Sequence, residues 1–171
     1  MTDNELLIIL EKGGQVSVPY FDGSMIQVEK CDLSLEEVLP AFKRFLSLTA
    51  EQRRSDARHL LAYCKMIVYA VGEDALEDMG GSEPGASLIF FDKLEAGKYA
   101  SKPTIYVQIE GNVDWEPEHG LQMSWAEGDR LVKVSAFDGH PTNAHASAKP
   151  EDDQYVFECY KREFCTFPDP V

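Results

Sequence analysis

The sequence predicts a single α+β domain in which an antiparallel sheet packs against a pair of amphipathic helices. Apolar residues recur with a period of two on either side of two short turns, which indicates two hairpins. Apolar residues at helical spacing fill the stretch between those hairpins. The length of 171 residues suits one domain with one core, and strands followed by helices and further strands are typical of the α+β class.

The amino-terminal part predicts a short helix and then a hairpin. The helix is expected in "MTDNELLIILEKGG", where an apolar run is flanked by acidic residues. In "QVSVPYFDGSMIQVEK", Val16 and Val18 alternate with polar residues, and the apolar run resumes at Met25 after "FDGS". An Asp-Gly turn between two such runs is a strong hairpin signal.

Two amphipathic helices are predicted next. In "CDLSLEEVLPAFKRFLSLT", Asp32 or Ser34 can cap the helix start, and Pro40 predicts a kink or a late start. The second helix opens at Thr49 and ends at Gly72. The predicted apolar face of the first helix is Leu35, Val38, Leu39, Phe42, Phe45 and Leu46, and that of the second is Leu60, Leu61, Cys64, Ile67, Val68 and Val71.

The second half of the chain returns to strand periodicity. "EDALEDMGGSEPGAS" predicts an exposed connection, "SLIFFDKL" a strand or a short helix, and "TIYVQIEGNVDW" a strand. "GLQMSWAEGDRLVKVSAF" predicts a hairpin that folds back near Glu127 and Gly128, with Leu121, Met123 and Trp125 on one face.

The end of the chain gives a weaker pattern. Residues 143–153 are predicted to be loop, and "YVFECYKREFCTF" fits either an edge strand or a short helix. We therefore expect an α+β domain over residues 1–149 and a carboxyl-terminal extension over residues 150–171 that packs on it.

The charge balance is strongly acidic. Sixteen Lys and Arg residues against thirty Asp and Glu residues give a formal net charge of −14 and a pI near 4.6. Such a surface repels phosphate backbones, so we expect no binding to nucleic acid. It attracts a basic protein patch or cations, and solubility alone is the alternative explanation.

The sequence also indicates a compartment. A signal peptide needs a basic start and a membrane span needs ~20 apolar residues, and neither pattern occurs, so we expect no membrane association. Four scattered cysteines without a CxxC pair suggest free thiols in a reducing environment. The cytoplasm is the expected location.

Two short segments concentrate residues that can carry chemistry. "NVDWEPEHG" spans residues 112–120, and "FDGHPTNAH" spans residues 137–145. Because the predicted hairpin lies between them, both segments should meet at its open end. The candidate metal ligands are Glu116, Glu118, His119, Asp138 and His140.

The spacing of these residues does not match a known catalytic or metal motif. Neither HxH nor HExxH occurs, the oxygen pattern of a calcium loop is missing, and no serine has a GxSxG context. Glu116 and Glu118 remain a possible acid and base pair. In the structural alternative, Asp138-Gly139 is a turn, Trp115 packs under the hairpin end, and the histidines bond to backbone or carboxylates. The sequence favours a protein with no catalytic centre and no cofactor.

The same two segments carry a resemblance. They resemble a set of small bacterial proteins of unassigned function with the pattern W-E-x-E-H-G-L, then W or F, a Gly turn, L-x-x-V and D-G-H-x-T-N. The matching residues are Trp115, Glu116, Glu118, His119, Gly120, Leu121, Trp125, Gly128, Leu131, Val134, Asp138, Gly139, His140, Thr142 and Asn143. Pro141 departs from the pattern, and the resemblance covers roughly residues 15–147. Small acidic members of such families often resemble immunity proteins that neutralise secreted bacterial toxins.

Two hypotheses follow from these features. The first is a protein-binding domain that docks on a basic partner, which the resemblance suggests is a cognate toxin. Its candidate contact residues are Glu73, Asp74, Glu77, Asp78, Glu83, Trp115, Glu116 and Glu118. The second is a metal-binding or hydrolytic domain centred on the cluster of Glu116, His119, Asp138 and His140.

Overall fold

The computed structural model describes residues 1–72 and 85–168. In these ranges the helices are α1 (Asp3–Lys12), α2 (Leu35–Ser47), α3 (Ala50–Val71) and α4 (Asn143–Ser147). The strands are β1 (Gly14–Val18), β2 (Ser24–Val28), β3 (Gly85–Leu94), β4 (Thr104–Asn112), β5 (Leu121–Ala126) and β6 (Arg130–Ser135). The predicted single α+β domain with two hairpins is confirmed. Of the connection predicted over residues 73–87, residues 73–84 lie outside the described residues, and residues 85–87 are not a connection because they already belong to β3.

The strands form one mixed sheet in their order along the chain. Neighbouring strands are antiparallel except for β2 and β3, which pair in parallel through Gln27 with Leu88 and Val28 with Ile89. A parallel pair needs a long crossover, and the chain segment that holds α2 and α3 provides it. The predicted antiparallel sheet therefore has one parallel step, between its second and third strands.

The main core lies between the sheet and the first three helices. Trp125 on β5 packs edge-on against Phe45 of α2, with ring centroids 5.0 Å apart, and against Tyr20 at 5.3 Å. Phe42 of α2 contacts Phe91 of β3 in the same geometry at 5.2 Å. The predicted apolar face of the second hairpin is thus confirmed, and it forms part of the sheet surface against which the helices pack.

The helix boundaries agree with those predicted from the sequence, except that Pro40 does not delay the start of α2. α2 begins at Leu35 after Ser34 and continues through Pro40, so the late start is not seen. Its apolar face holds the helix against the sheet although Pro40 removes one backbone donor. α3 starts with a capping box between Thr49 and Gln52 and ends at Gly72, as predicted.

The predicted buried stripe of α3 is wrong in part. Leu60 is buried, but Leu61 is 53% exposed and Val71 is 63% exposed. Adjacent helix positions differ by about 100° around the axis, so Leu60 and Leu61 cannot both face the sheet. Tyr63 shares the buried side with Leu60 and fixes the rotation of the helix.

His59 of α3 is a buried polar residue. Its side chain is only 1% exposed, and its Nδ1 atom lies 2.6 Å from Oγ1 of Thr166. Burial of an imidazole is tolerated when its polar atoms have partners. The partner of the Nδ1 atom is 107 positions away in the sequence, so local pattern gave no sign of it.

The second face of β5 and β6 is covered by the loop that follows β6, whose residues 138–140 bond to the side chains of Gln122 and Lys133. The predicted loop over residues 143–153 contains α4 and a 3-10 turn at Pro150–Gln154. The helix forms because Oγ1 of Thr142 accepts a hydrogen bond from the amide of His145 at 3.1 Å. The segment "YVFECYKREFCTF" is predicted to be either an edge strand or a short helix. It contains an isolated β-bridge between Phe157 and Thr166 and a 3-10 turn at Arg162–Phe164.

β4 and β5 are buried on both faces along most of their length. The polar residues Gln108, Gln122 and Ser124 alternate with apolar ones, yet they are fully buried. Val134 of β6 donates its amide to the carbonyl of Val156 at 2.8 Å, which joins the extension to the sheet edge. Within the described ranges, no helix has both the length and the apolar content needed to cross a bilayer.

Candidate functional site

The two segments singled out in the sequence are neighbours at the open end of the β5–β6 hairpin. The amide of Phe137 donates to the carbonyl of His119 at 3.1 Å, which joins one segment directly to the other. The proximity predicted from the hairpin geometry is therefore confirmed. Their side chains nevertheless have different environments and different partners.

Residues 114–119 of the first segment form a tight turn that is held by hydrogen bonds within it. Oε1 of Glu116 accepts from the amide of His119 at 3.3 Å and lies 3.0 Å from Nδ1 of the same residue. The amide of Gly120 donates to the carbonyl of Glu116 at 2.9 Å. The turn therefore holds the side chains of Glu118 and His119 outward, and both are exposed.

The turn is anchored to α3 by aromatic packing. The Trp115 ring meets the buried Tyr63 ring edge-on at 6.1 Å, and the Tyr63 hydroxyl donates to the carbonyl of Gly120 at 3.0 Å. Burial, with a smaller effect of the Glu116 carboxylate, raises the pKa of Tyr63. The phenol therefore stays protonated and keeps donating to the turn.

Three of the five candidate metal ligands come together in this turn. One ligand atom from each of Glu116, Glu118 and His119 lies within 4.8 Å of the other two. Within the described ranges, the group of mutually close ligand atoms does not extend to Asp138 or His140. The cluster inferred from the sequence is thus divided between two loops.

Asp138 instead neutralises a buried cation. Its Oδ1 atom lies 2.5 Å from Nζ of Lys133, whose side chain is 1% exposed, and Nζ also donates to the carbonyl of His140 at 2.9 Å. Burial lowers the pKa of the Lys133 ammonium, and the Asp138 carboxylate opposes that effect. A carboxylate committed to a buried ammonium is a poor metal ligand.

Gln122 fixes the same loop from the neighbouring strand. Its Oε1 atom accepts from the amides of Asp138 and Gly139, each at 3.0 Å. Its Nε2 atom donates to Oε1 of Gln108 at 2.6 Å and to the carbonyl of His140 at 2.8 Å. Sequence reasoning missed both Gln122 and Lys133, because polar residues that alternate with apolar ones along a strand normally indicate a solvent-exposed face.

The remaining residues of the second segment also bond within the fold. Nδ1 of His140 lies 3.2 Å from Nδ1 of His145, so one ring donates to the other. Asn143 is buried and donates to the carbonyls of Tyr155 and Val156 at 2.9 and 3.2 Å. The D-G-H-P-T-N segment therefore joins the hairpin, α4 and the carboxyl-terminal extension.

A depression of about 290 Å³ lies beside the first segment. We call it the acidic depression; its lining is Glu110, Gly111, Asn112, Pro117, Glu118, His119, Gly120 and Phe137. The sequence has no Lys or Arg between residues 103 and 129, whereas it has six acidic residues there. The contact candidates Glu73, Asp74, Glu77, Asp78 and Glu83 lie outside the described residues.

Three of the four thiols do not have the character of activated nucleophiles. All four cysteines are free, as expected from the sequence. Burial raises the pKa of Cys31 and Cys64, and it raises that of Cys159 to about 11. A catalytic thiol needs the opposite shift, because the thiolate is the reactive form.

Comparison with known protein families assigns the chain to one of them. The chain matches the family described as "Domain of unknown function (DUF6985)" over residues 5–141, and it therefore belongs to that family. No curated protein and no solved structure matches the chain. The matched range contains the sheet and the acidic depression, and it ends before α4.

Proposed function

We propose that this DUF6985 domain binds a basic protein through an acidic edge made of residues 110–119. Its main support is the acidic depression, where Glu110 and Glu118 line a concave surface beside Glu116. A net charge of −14 further favours association with a basic surface, since complementary charge speeds encounter.

The depression suits a Lys or Arg side chain of the partner. Two carboxylates and the side chain of Asn112 offer acceptors for the several donors of a guanidinium or ammonium group. Pro117 and Phe137 supply an apolar wall for the methylene stem of the inserted side chain. Trp115, in the adjoining turn, is of a residue type that often dominates binding energy at interfaces.

The partner we propose is a secreted bacterial toxin, which the domain neutralises by covering a basic functional surface. This extension rests on the resemblance of the two segments to those of small acidic immunity-type proteins and on the charge of the chain. Binding of this kind needs no chemistry in the domain itself. It does predict strong dependence on salt, because exposed charge pairs are screened over about 10 Å at 0.1 M salt.

A pull-down with charge-matched variants tests the proposal. Glu110→Gln with Glu118→Gln removes two charges from the acidic edge, whereas Glu11→Gln with Glu29→Gln removes two from exposed positions elsewhere. We expect the wild type and the control variant to recover the same basic protein from native cells. The edge variant should bind it roughly tenfold more weakly, a loss of about 1.4 kcal/mol.

Equal loss in the two variants would show that only net charge matters. Recovery of no stoichiometric partner at low salt would contradict the proposal as a whole. Since Glu116 is left in place, the bonds that shape the turn persist in the edge variant. A fold defect is therefore not expected to explain weaker binding.

The close approach of Glu116, Glu118 and His119 supports a second candidate, a divalent-cation or hydrolytic site. If the domain acts by protein binding, zinc, manganese and calcium should leave the melting temperature unchanged. Untagged protein should then contain less than ~0.1 equivalent of metal by elemental analysis. Stoichiometric metal that is lost in His119→Ala would favour the cation site instead.

A further inference from the structure

Two of the four free cysteines lie beside each other in the carboxyl-terminal extension. Sγ of Cys165 is 3.4 Å from the amide nitrogen and 3.4 Å from the carbonyl oxygen of Cys159. Both sulfurs also approach the carbonyl oxygen of Lys161, Sγ of Cys159 at 3.2 Å and Sγ of Cys165 at 3.8 Å. The two thiol side chains therefore occupy one small space.

The electrostatics of Cys159 agree with this contact. Burial raises the pKa of Cys159, and the Cys165 side chain raises it further through its charge and a hydrogen bond. Both cysteines are half-buried, so a small reagent in solution can reach them. Contact and partial exposure together are what an exchange reaction between thiols and a disulfide requires.

The backbone around the two cysteines forms a short closed loop. The amide of Thr166 donates to the carbonyl of Phe157 at 2.9 Å, and the 3-10 turn Arg162–Phe164 lies between these two residues. Cys159 and Cys165 are inside this loop, six positions apart in the sequence. A bond between their sulfurs would close a small ring within a loop that the backbone already closes.

The loop is also the place where the extension is attached to the rest of the domain. Thr166, directly after Cys165, has its Oγ1 atom 2.6 Å from Nδ1 of the buried His59 in α3. The carbonyl of Thr166 accepts from the amide of Val156, and the carbonyl of Val156 accepts from the amide of Val134 in β6, both at 2.8 Å. A covalent link at Cys165 would therefore restrain the residues that join the extension to α3 and to β6.

We propose that Cys159 and Cys165 form a reversible disulfide that secures the carboxyl-terminal extension, by exchange with a low-molecular-weight disulfide. The Cys165 thiolate attacks one sulfur of that reagent, which releases one small thiol and leaves a mixed disulfide. Sγ of Cys159 then attacks Sγ of Cys165 and releases the second small thiol. The two protein thiols are oxidised, and the reagent takes up their two electrons and two protons as it becomes two thiols.

The order of these two attacks follows from the environment of Cys159. The thiolate is the reactive form of cysteine, and burial keeps Cys159 protonated. Cys165 therefore makes the first attack, and Cys159 resolves the mixed disulfide. This site does not depend on the proposed protein partner.

Peptide mapping of the full chain in a glutathione buffer tests the proposal. Trypsin cuts after Lys161 and Arg162, which separates Cys159 in the peptide 134–161 from Cys165 in the peptide 163–171. With reduced and oxidised glutathione at about 1 mM each, we expect more than about half of the protein to give the two peptides as one linked species. Dithiothreitol should separate them. Unlinked peptides, a stable glutathione adduct or a link to a second chain would overturn the proposal.

Thermal unfolding of the oxidised and reduced protein tests whether the link secures the extension. The oxidised wild type should melt about 5 °C above the reduced form, because the ring restricts the unfolded chain. Cys64→Ser, which removes a thiol from α3, is the matched control and should show the same rise. Cys165→Ser should show no rise and no linked peptides. Equal melting of the two wild-type forms would contradict the securing role of the link.

Discussion

Asp138→Ala is expected to lower the free energy of unfolding by about 3 kcal/mol, because it removes the counter-charge of a buried ammonium. Lys133 is fully buried in the fold, and Asp138 supplies the carboxylate that lies against its Nζ atom. The Asp138 side chain is 37% exposed, so water can replace part of the lost contact. The expected loss is therefore near the lower end of what breaking a buried pair costs. Urea denaturation followed by circular dichroism measures it.

The double variant Lys133→Met with Asp138→Ala is the control for this prediction. Removal of both charges should restore stability to within about 1 kcal/mol of the wild type, since no unpaired charge is then buried. The carbonyl of His140 keeps its hydrogen bond from Gln122 in this variant. A loss below about 0.5 kcal/mol for Asp138→Ala alone would contradict the structural role of this loop.

Gly128→Ala should destabilise the protein still more, by about 4 kcal/mol. Gly128 has φ of +86°, and a Cβ atom there would overlap the carbonyl oxygen of Ala41 in α2. The β5–β6 turn is also fixed to α2 by Arg44, whose Nε atom donates to the carbonyl of Glu127 at 2.6 Å. Relief of the overlap would therefore require the turn to move away from the helix.

Gly139→Ala provides the comparison for Gly128→Ala. Its φ of +75° is similar, but a Cβ atom there would have no heavy atom within 4 Å. Only the left-handed backbone is then penalised, which costs about 1–2 kcal/mol. Equal losses in the two variants, measured by thermal and urea unfolding, would show that the contact with Ala41 is unimportant.

Much of the fold follows from local pattern. Val16, Val18 and Ile26 are buried in the first hairpin, as their alternation indicates. The capping box at Thr49 and the stop at Gly72 are also visible in the sequence, because each needs only residues within one helical turn. The hairpin geometry further allowed the two chemically rich segments to be placed side by side.

The features that escaped prediction depend on distant parts of the chain. His59 is buried because Thr166 provides its partner, and Lys133 because the following loop covers it. A second layer over β4 and β5 cannot be inferred from strands that look amphipathic. For the same reason, the sequence did not show that the candidate metal ligands form two separate groups. Glu116 and His119 lie in an exposed turn, whereas the loop of Asp138 and His140 is bonded to the sheet.

The most direct test of the proposed acidic edge is hydrogen–deuterium exchange of the domain in complex with the protein recovered by pull-down. We predict slower exchange at the amides of residues 110–120, because the partner covers them, and unchanged exchange over α1 and α2. Protection confined to α1 and α2, with residues 110–120 exchanging as in the free domain, would contradict the account.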